Sequence, residues 1–170
     1  MNKQDIEKYL RMVGLELQKQ GTTSEMLLLG GAVMLIEVGN RGTTDDIDTY
    51  YLPDFTAVAK AAAIVAERES LEDSWLNSAA AGFTYFFTKQ PEKKLWREFP
   101  GLRVYTASLE YIFATKIMAG RSKDEVDIMA LAKKLNITSR EDVIALLAQY
   151  VPEEAITSDL LLEIGRRFKS

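Results

Sequence analysis

Four residues carry the first chemical signal in this chain. Gly30 and Gly31 follow one apolar run, and Asp46 and Asp48 stand at the head of another, in the stretch LLLGGAVMLIEVGNRGTTDDIDTYYL (27–52). A glycine pair lets backbone approach a phosphate closely, and if a helix begins there its unpaired N–H groups and positive dipole end favour an anion. Two carboxylates with one residue between them on an extended strand point the same way. They repel each other unless a cation or proton lies between them, so the pair is poised to hold Mg²⁺. A phosphate cradle beside a metal clamp suits nucleotide chemistry. Each half also has a plainer reading when taken alone: a strand-ending turn for the glycines, and solvated acids at a strand start for the aspartates.

The rest of the composition narrows the chemistry. The chain has no cysteine and no histidine, which excludes the usual zinc sites, thiol nucleophiles and any Ser-His or Cys-His pair. Carboxylates, Lys, Arg, hydroxyls and a hard metal remain. The net charge is -4, so no non-specific duplex DNA binding is expected, because that binding rests on phosphate neutralisation and shows as a basic excess. The first residues, MNKQDIEKYL, are charged, and no apolar run approaches the ~20 residues of a membrane span. A cytoplasmic protein with no membrane partner is the expectation. At 170 residues the chain suits one domain that buries about two-thirds of its unfolded surface, with a small helical appendage.

The elements that must position these residues follow from periodicity and punctuation. Asp5–Gln20, with Ile6, Leu10, Val13, Leu15 and Leu17 among charges, predicts an amphipathic helix ended by Gly21. Glu25–Leu29 suits a buried strand ended by the glycine pair, and Ala32–Val38 has a helical tendency stopped by Gly39 and Asn40. A polar turn over Arg41–Asp45 leads to a strand at Ile47–Leu52, closed by Pro53, and Phe55–Arg68 is Ala-rich and helical. Asp73–Ala81 reads as a short helix or an irregular turn, Phe83–Phe87 as a strand, Lys89–Pro100 as a charged loop around Trp96, and Leu102–Ala107 as a strand. From Ser108 onward the pattern is helical. Helices are expected over Ser108–Ala119, over Lys123–Leu135 with Ser122 and Glu125 as a capping box, over Val143–Tyr150 behind Thr138 and Glu141, and over Ile156–Phe168. The fold class is therefore α/β (α+β): a small mixed β-sheet flanked by helices over residues 1–107, followed by an all-helical C-terminal portion over 108–170 expected to pack on it.

Glycines opening a helix, followed by a strand that carries Asp-x-Asp, resemble the DNA polymerase β-like nucleotidyltransferase superfamily, with Gly30, Gly31, Asp46 and Asp48 in those places. Arg41 and Thr44, together with TKIMAGRSKDEVDIMAL (115–131), resemble more narrowly the small bacterial nucleotidyltransferase-like proteins related to toxins of type IV toxin–antitoxin systems. In those, a Lys on one helix and an Asp on the next follow the Asp-x-Asp strand. The resemblance runs roughly from Leu27 to Leu135. It implies a nucleotidyltransferase fold, Mg²⁺ on Asp46 and Asp48, nucleotide contacts from Gly30, Gly31, Arg41, Thr44 and Lys116, and catalytic roles for Asp46, Asp48, Lys116 and Asp127. It also implies a nucleoside triphosphate substrate, an RNA or protein acceptor, and a cognate antitoxin as partner.

Helical geometry gives the second motif a reading of its own. Lys116 falls on one face with Leu109, Ile112, Phe113 and Gly120, so it must either snorkel out or meet an anion. Asp127 is aligned with Ile128, Leu131 and Leu135 on an inward arc. Asp124, one turn earlier, shares that face and reads as a helix N-terminal acid favoured by the dipole. Arg121 suits a phosphate or carboxylate partner, or simply a surface position.

These residues lead to two expectations. The first is an enzyme that moves a nucleoside monophosphate from a triphosphate to an acceptor, with Lys116 neutralising phosphate charge and Asp127 completing the metal site or removing the acceptor proton. The second is a nucleotidyltransferase-fold module that binds a nucleotide or a partner without transfer. It is motivated by FTYFF and LRVYTA, which lack the third carboxylate that polymerase-like members place on a later strand. Lys89, Lys93, Lys94, Arg97 and Arg103 around Trp96 suit polynucleotide binding or a solvated loop. A haloacid-dehalogenase phosphatase is excluded, since it wants an apolar strand before the first Asp and Thr where Tyr50 stands. A metal-dependent glycosyltransferase remains a distant alternative.

Overall fold

The apolar run at Met26–Leu28 is buried on both faces of its strand, which is why it is apolar at consecutive positions rather than alternate ones. The structure, a computed structural model, describes residues 1–52, 55–79, 82, 85 and 87–168. Its strands are β1 (Ser24–Leu28), β2 (Ile47–Leu52), β3 (Leu76–Asn77), β4 (Lys93–Phe99) and β5 (Leu102–Ala107), in the order β3-β2-β1-β5-β4. β1 is antiparallel to β2 and parallel to β5, β2 is parallel to β3, and β4 and β5 form a hairpin. With helices α1 (Lys3–Lys19), α2 (Gly30–Val33) and α3 (Phe55–Glu69), this sheet makes up one compact unit, residues 1–82 and 93–107.

Helix α1 begins two residues before the expected Asp5, because Asn2 caps it: its side chain accepts from the amides of Gln4 and Asp5, and Asp5 returns the bond. Ile6, Leu10, Val13 and Leu17 are fully buried at three- and four-residue spacing, whereas Leu15, expected in the same stripe, falls outside that spacing and is 40% exposed. The helix meets the β4–β5 turn backbone to backbone. A Cβ on Gly14 would lie 2.3 Å from the Pro100 carbonyl oxygen, and Gly101 sits at φ +75 in the two-residue turn. Helix α3 buries Val58, Ala61, Ala62, Val65 and Ala66, and the Trp75 indole donates to the Ala62 carbonyl at 3.2 Å.

Three sequence expectations are corrected in this unit. The charged stretch expected as a loop contains strand β4, which hides its period because it is an edge strand with only Phe99 buried and a register break between Leu95 and Arg97. The DSWLNSAAA stretch, read as a short helix or turn, contains the two-residue strand β3, which exists only through its pairing with β2. Helix α2 starts at the glycine pair, not at Ala32, and continues as a π-helical turn, Met34–Val38. The strand expected at Phe83–Phe87 falls largely on residues outside the described ones, as does Pro53.

The second unit, residues 83–92 and 108–170, carries helices α4 (Leu109–Ala119), α5 (Glu125–Leu135), α6 (Arg140–Leu147) and α7 (Ser158–Arg167). Tyr111, Ile112, Phe113, Ala114 and Ile117 are buried around most of α4, as befits the helix that α5 and α6 pack against. Tyr111 packs between Phe87, tilted against it, and Tyr150, edge-to-face, with ring centroids 5.1 and 5.6 Å away. The caps differ from expectation. Ser122 leads into a 3-10 turn over Ser122–Asp124 and makes no side-chain cap, so α5 begins at Glu125. The box before α6 is Ser139 with Asp142, one residue later than Thr138 with Glu141, because the Asp142 carboxylate gathers the amides of both Thr138 and Ser139. Among the described residues no helix is long and apolar enough to cross a membrane.

Candidate functional site

The turn from β1 into α2 sets the geometry of the glycine pair. Leu29 is the N-cap of α2, and its amide donates to the Asp48 carbonyl at 2.8 Å, which extends the β1–β2 ladder by one residue and sets Asp48 beside Gly30. Gly30 has φ +53, a conformation that glycine adopts without penalty. A Cβ there would lie 2.5 Å from Asp48 Oδ2. On Gly31 it would lie 2.5 Å from Thr44 Oγ1 and 3.1 Å from Arg41 Nη1. Asp48 therefore lies against Gly30, and Thr44 and Arg41 against the adjacent Gly31, so that polar side chains approach the backbone of both glycines more closely than a methyl group would allow.

The acids are held from two directions. Ile47 and Thr49 are fully buried, and the intervening Asp48 and the preceding Asp46 take the other face, both half-buried. Thr49 Oγ1 donates to the Leu27 carbonyl at 2.9 Å, fixing β2 against β1. The loop before β2 is tied at buried Thr44. Its amide donates to the Met1 carbonyl at 2.9 Å, its carbonyl accepts from the Met1 amino group at 2.6 Å, and its hydroxyl donates to the Asp46 carbonyl at 3.1 Å. Asp46 Oδ2 accepts from Asn77 Nδ2 at 3.1 Å. Sequence reasoning missed Asn77. Its partner lies 31 residues away in the chain, and the only signal was an amide side chain next to a buried Trp-Leu pair.

Among the described residues no cluster of three or more His, Cys, Asp or Glu is placed to hold a metal. Two carboxylates are nonetheless a fitting set for Mg²⁺, which is commonly bound through one or two carboxylates while waters and substrate phosphates complete its octahedron. The all-oxygen donors of Asp46 and Asp48, beside the backbone of Gly30 and Gly31, match that pattern.

Within the second unit, Lys116 lies inward as its helical face implied, and it meets anions rather than snorkelling. Its Nζ is 2.6 Å from Asp124 Oδ1 and 2.8 Å from Asp127 Oδ2. Lys116 and Asp124 are 8% exposed and Asp127 1%, so one buried cation serves two buried carboxylates. Asp124, expected to serve the helix dipole, is the N-cap residue of α5 but makes no side-chain bond to the helix amides; it turns to Lys116 instead. Arg121 is exposed.

The basic residues around Trp96 each have an acid within 4 Å. Lys89 pairs with Glu92, Lys93 with Glu25, Lys94 with Glu37, Arg97 with Glu7, and Arg103 with Glu98. The Lys93 ammonium, followed by the Tyr105 hydroxyl, holds the Glu25 carboxyl below its ordinary range. This hairpin is thus close to electrically balanced, unlike a strip that tracks a polynucleotide backbone.

A family model described as a nucleotidyltransferase of unknown function (DUF6036) matches residues 8–160. Comparisons with curated proteins and with solved structures gave no match. The family match takes in both the Gly30–Asp48 region and the Lys116–Asp127 cluster, and the mixed sheet flanked by helices is consistent with a nucleotidyltransferase-like fold. The chain belongs to this nucleotidyltransferase family.

Proposed function

We propose that this family member transfers a nucleoside monophosphate from a nucleoside triphosphate to an RNA or protein acceptor, with Mg²⁺ held by Asp46 and Asp48. The observation that carries the reading is the Asp48 carboxylate set over the backbone of Gly30, with Thr44 and Arg41 closing on Gly31. In this reading the Gly30 and Gly31 amides receive the β- and γ-phosphates, and the Arg41 guanidinium and Thr44 hydroxyl add donors to the nucleotide. Bound Mg²⁺ supplies charge neutralisation on the triphosphate. An acceptor oxygen bonds to the α-phosphorus, the bond from that phosphorus to the α,β-bridging oxygen breaks, and pyrophosphate leaves with the electron pair. The acceptor proton passes to a carboxylate or to solvent water. Because Lys116 and Asp127 share one ion cluster, variants at either are expected to act together.

Calorimetry with each nucleoside triphosphate and Mg²⁺ tests the binding half. Wild type is expected to bind and Asp46→Ala to lose most of the affinity; equal affinity for the two proteins would remove Asp46 from the site.

A second reading is favoured by β5, LRVYTA, which carries no carboxylate. It is a nucleotide- or partner-binding module of the same fold without transfer. Nucleotide binding with no turnover against RNA, protein or itself would select it. As a toxin–antitoxin component of either kind, the chain would slow growth on induction, and co-expression of a cognate antitoxin would relieve that.

A further inference from the structure

Asp46 and Asp48 are not held alike. Asp48 is inside β2 and its backbone is fixed from both sides, by the Leu29 amide and by its register with Asn77. Asp46 stands one residue before the strand, at a bend, where no ladder fixes it. The side-chain hydrogen bond it makes among the described residues is the one from Asn77.

Asn77 is itself immobilised. It lies on β3, anchored by the Ile47 amide donating to the Trp75 carbonyl at 2.8 Å and by buried Trp75 and Leu76. Its Nδ2 donates both to Asp46 and to the Ser74 carbonyl at 3.2 Å, and its Oδ1 accepts from the Ala79 amide at 2.9 Å. All three contacts fix the amide orientation: turning it over would set an NH₂ against an N–H, and an oxygen against a carbonyl and a carboxylate. A rotationally locked donor therefore points at one oxygen of Asp46.

We propose that Asn77 is a positioning residue that orients the Asp46 carboxylate for a divalent cation. A neutral amide suits this role better than Lys or Arg, because it fixes the carboxylate plane without cancelling the charge that attracts the cation. It occupies Oδ2 and leaves the other oxygen for a ligand. Hydrogen-bond partners behind a metal-binding carboxylate commonly contribute about 10- to 100-fold in metal affinity. The inference rests on the reading of Asp46 as a cation ligand, and the experiment separates the two.

Titrate Mn²⁺, with a non-hydrolysable nucleoside triphosphate analogue present, into wild type, Asp46→Asn, Asn77→Ala and Asn77→Ser, and record each thermal melt. Serine at 77 can still receive the Ala79 amide but is too short to reach Asp46, so it serves if the alanine variant does not fold. Wild type is expected to bind, Asp46→Asn to lose binding, and the two Asn77 variants to bind about tenfold more weakly with melting close to wild type. Asn77 variants with wild-type affinity overturn the positioning role while the reading of Asp46 stands. A wild type that takes no Mn²⁺, or an Asp46→Asn variant that binds as well as wild type, overturns both.

Discussion

Replacing Lys116 with Met removes the cation that Asp124 and Asp127 share, at nearly constant volume, and the size of the effect can be worked out from the ion cluster itself. Asp124 Oδ1 and Asp127 Oδ2 lie 2.6 and 2.8 Å from the same ammonium nitrogen. Those two oxygens are therefore no more than about 5.4 Å apart, and with an effective dielectric constant of about 20 two unit charges at that distance repel by about 3 kcal/mol. That agrees with the ~3–5 kcal/mol usual for removing one partner of a buried ion pair. For a chain of this length each kcal/mol corresponds to about 2–4 °C in Tm, so a fall of about 6–12 °C is expected at pH 7. Differential scanning calorimetry of wild type, Lys116→Met and the triple variant Lys116→Met/Asp124→Asn/Asp127→Asn gives the comparison. The triple variant, with no buried charge to leave unpaired, is expected to regain at least half of the loss. A single variant that melts within about 2 °C of wild type, or a triple variant that melts lower still, would refute the claim that the lysine is held inward by its two acids.

Gly30→Ala forces a Cβ at φ +53 and sets it 2.5 Å from Asp48 Oδ2. It is expected to cost about 1–2 kcal/mol in backbone strain and, by displacing that carboxylate, to weaken triphosphate binding by more than about tenfold on the scale of one lost charged contact, read by melting and calorimetry together. Glu25→Gln tests the hairpin ion pair through pH. The Glu25 carboxyl is held below its ordinary 4.5, first by Lys93 and then by Tyr105, so its stabilisation is full above that value and is lost as the pH falls through the folded-state value. The variant is expected to melt below wild type at pH 7 and to match it once the pH is under that lower value. Ser139→Ala removes the cap hydroxyl that accepts from the Asp142 amide, at a cost of about 1 kcal/mol. Urea unfolding of the two proteins gives the difference.

Strands β2 and β5 fall where the sequence put them, because each is a short apolar or aromatic run bounded by turn residues, and that pattern survives translation into a half-buried sheet. The glycine pair and Asp-x-Asp were legible for the same reason, as both depend on local backbone geometry. Strand β4 was not. Its positions are almost all exposed, its basic residues find acids on three other segments, and the break at Trp96 disrupts the two-residue period. Strand β3 has no local signal, since two residues become a strand only when β2 lies beside them. Asn77 was hidden by the same non-locality. Lys116, Asp124 and Asp127 all face inward as helical spacing implies, but the pairing of Asp124 with Lys116 in place of the helix amides is not legible from that spacing. The 3-10 turn over Ser122–Asp124 changes the side-chain directions at that point and turns Asp124 toward Lys116.

Asp46 and Asp48, beside Gly30 and Gly31, are proposed to support transfer of a nucleoside monophosphate. Incubation of the purified protein with Mg²⁺ and each nucleoside triphosphate, labelled in turn at the α- and at the γ-phosphate, with total RNA and with protein as acceptors, tests it most directly. Wild type is expected to pass the α-label, and not the γ-label, to an acceptor or to itself, and Asp46→Ala and Asp48→Ala to pass neither. Absence of α-label transfer from every triphosphate, or transfer that both alanine variants retain, would contradict it.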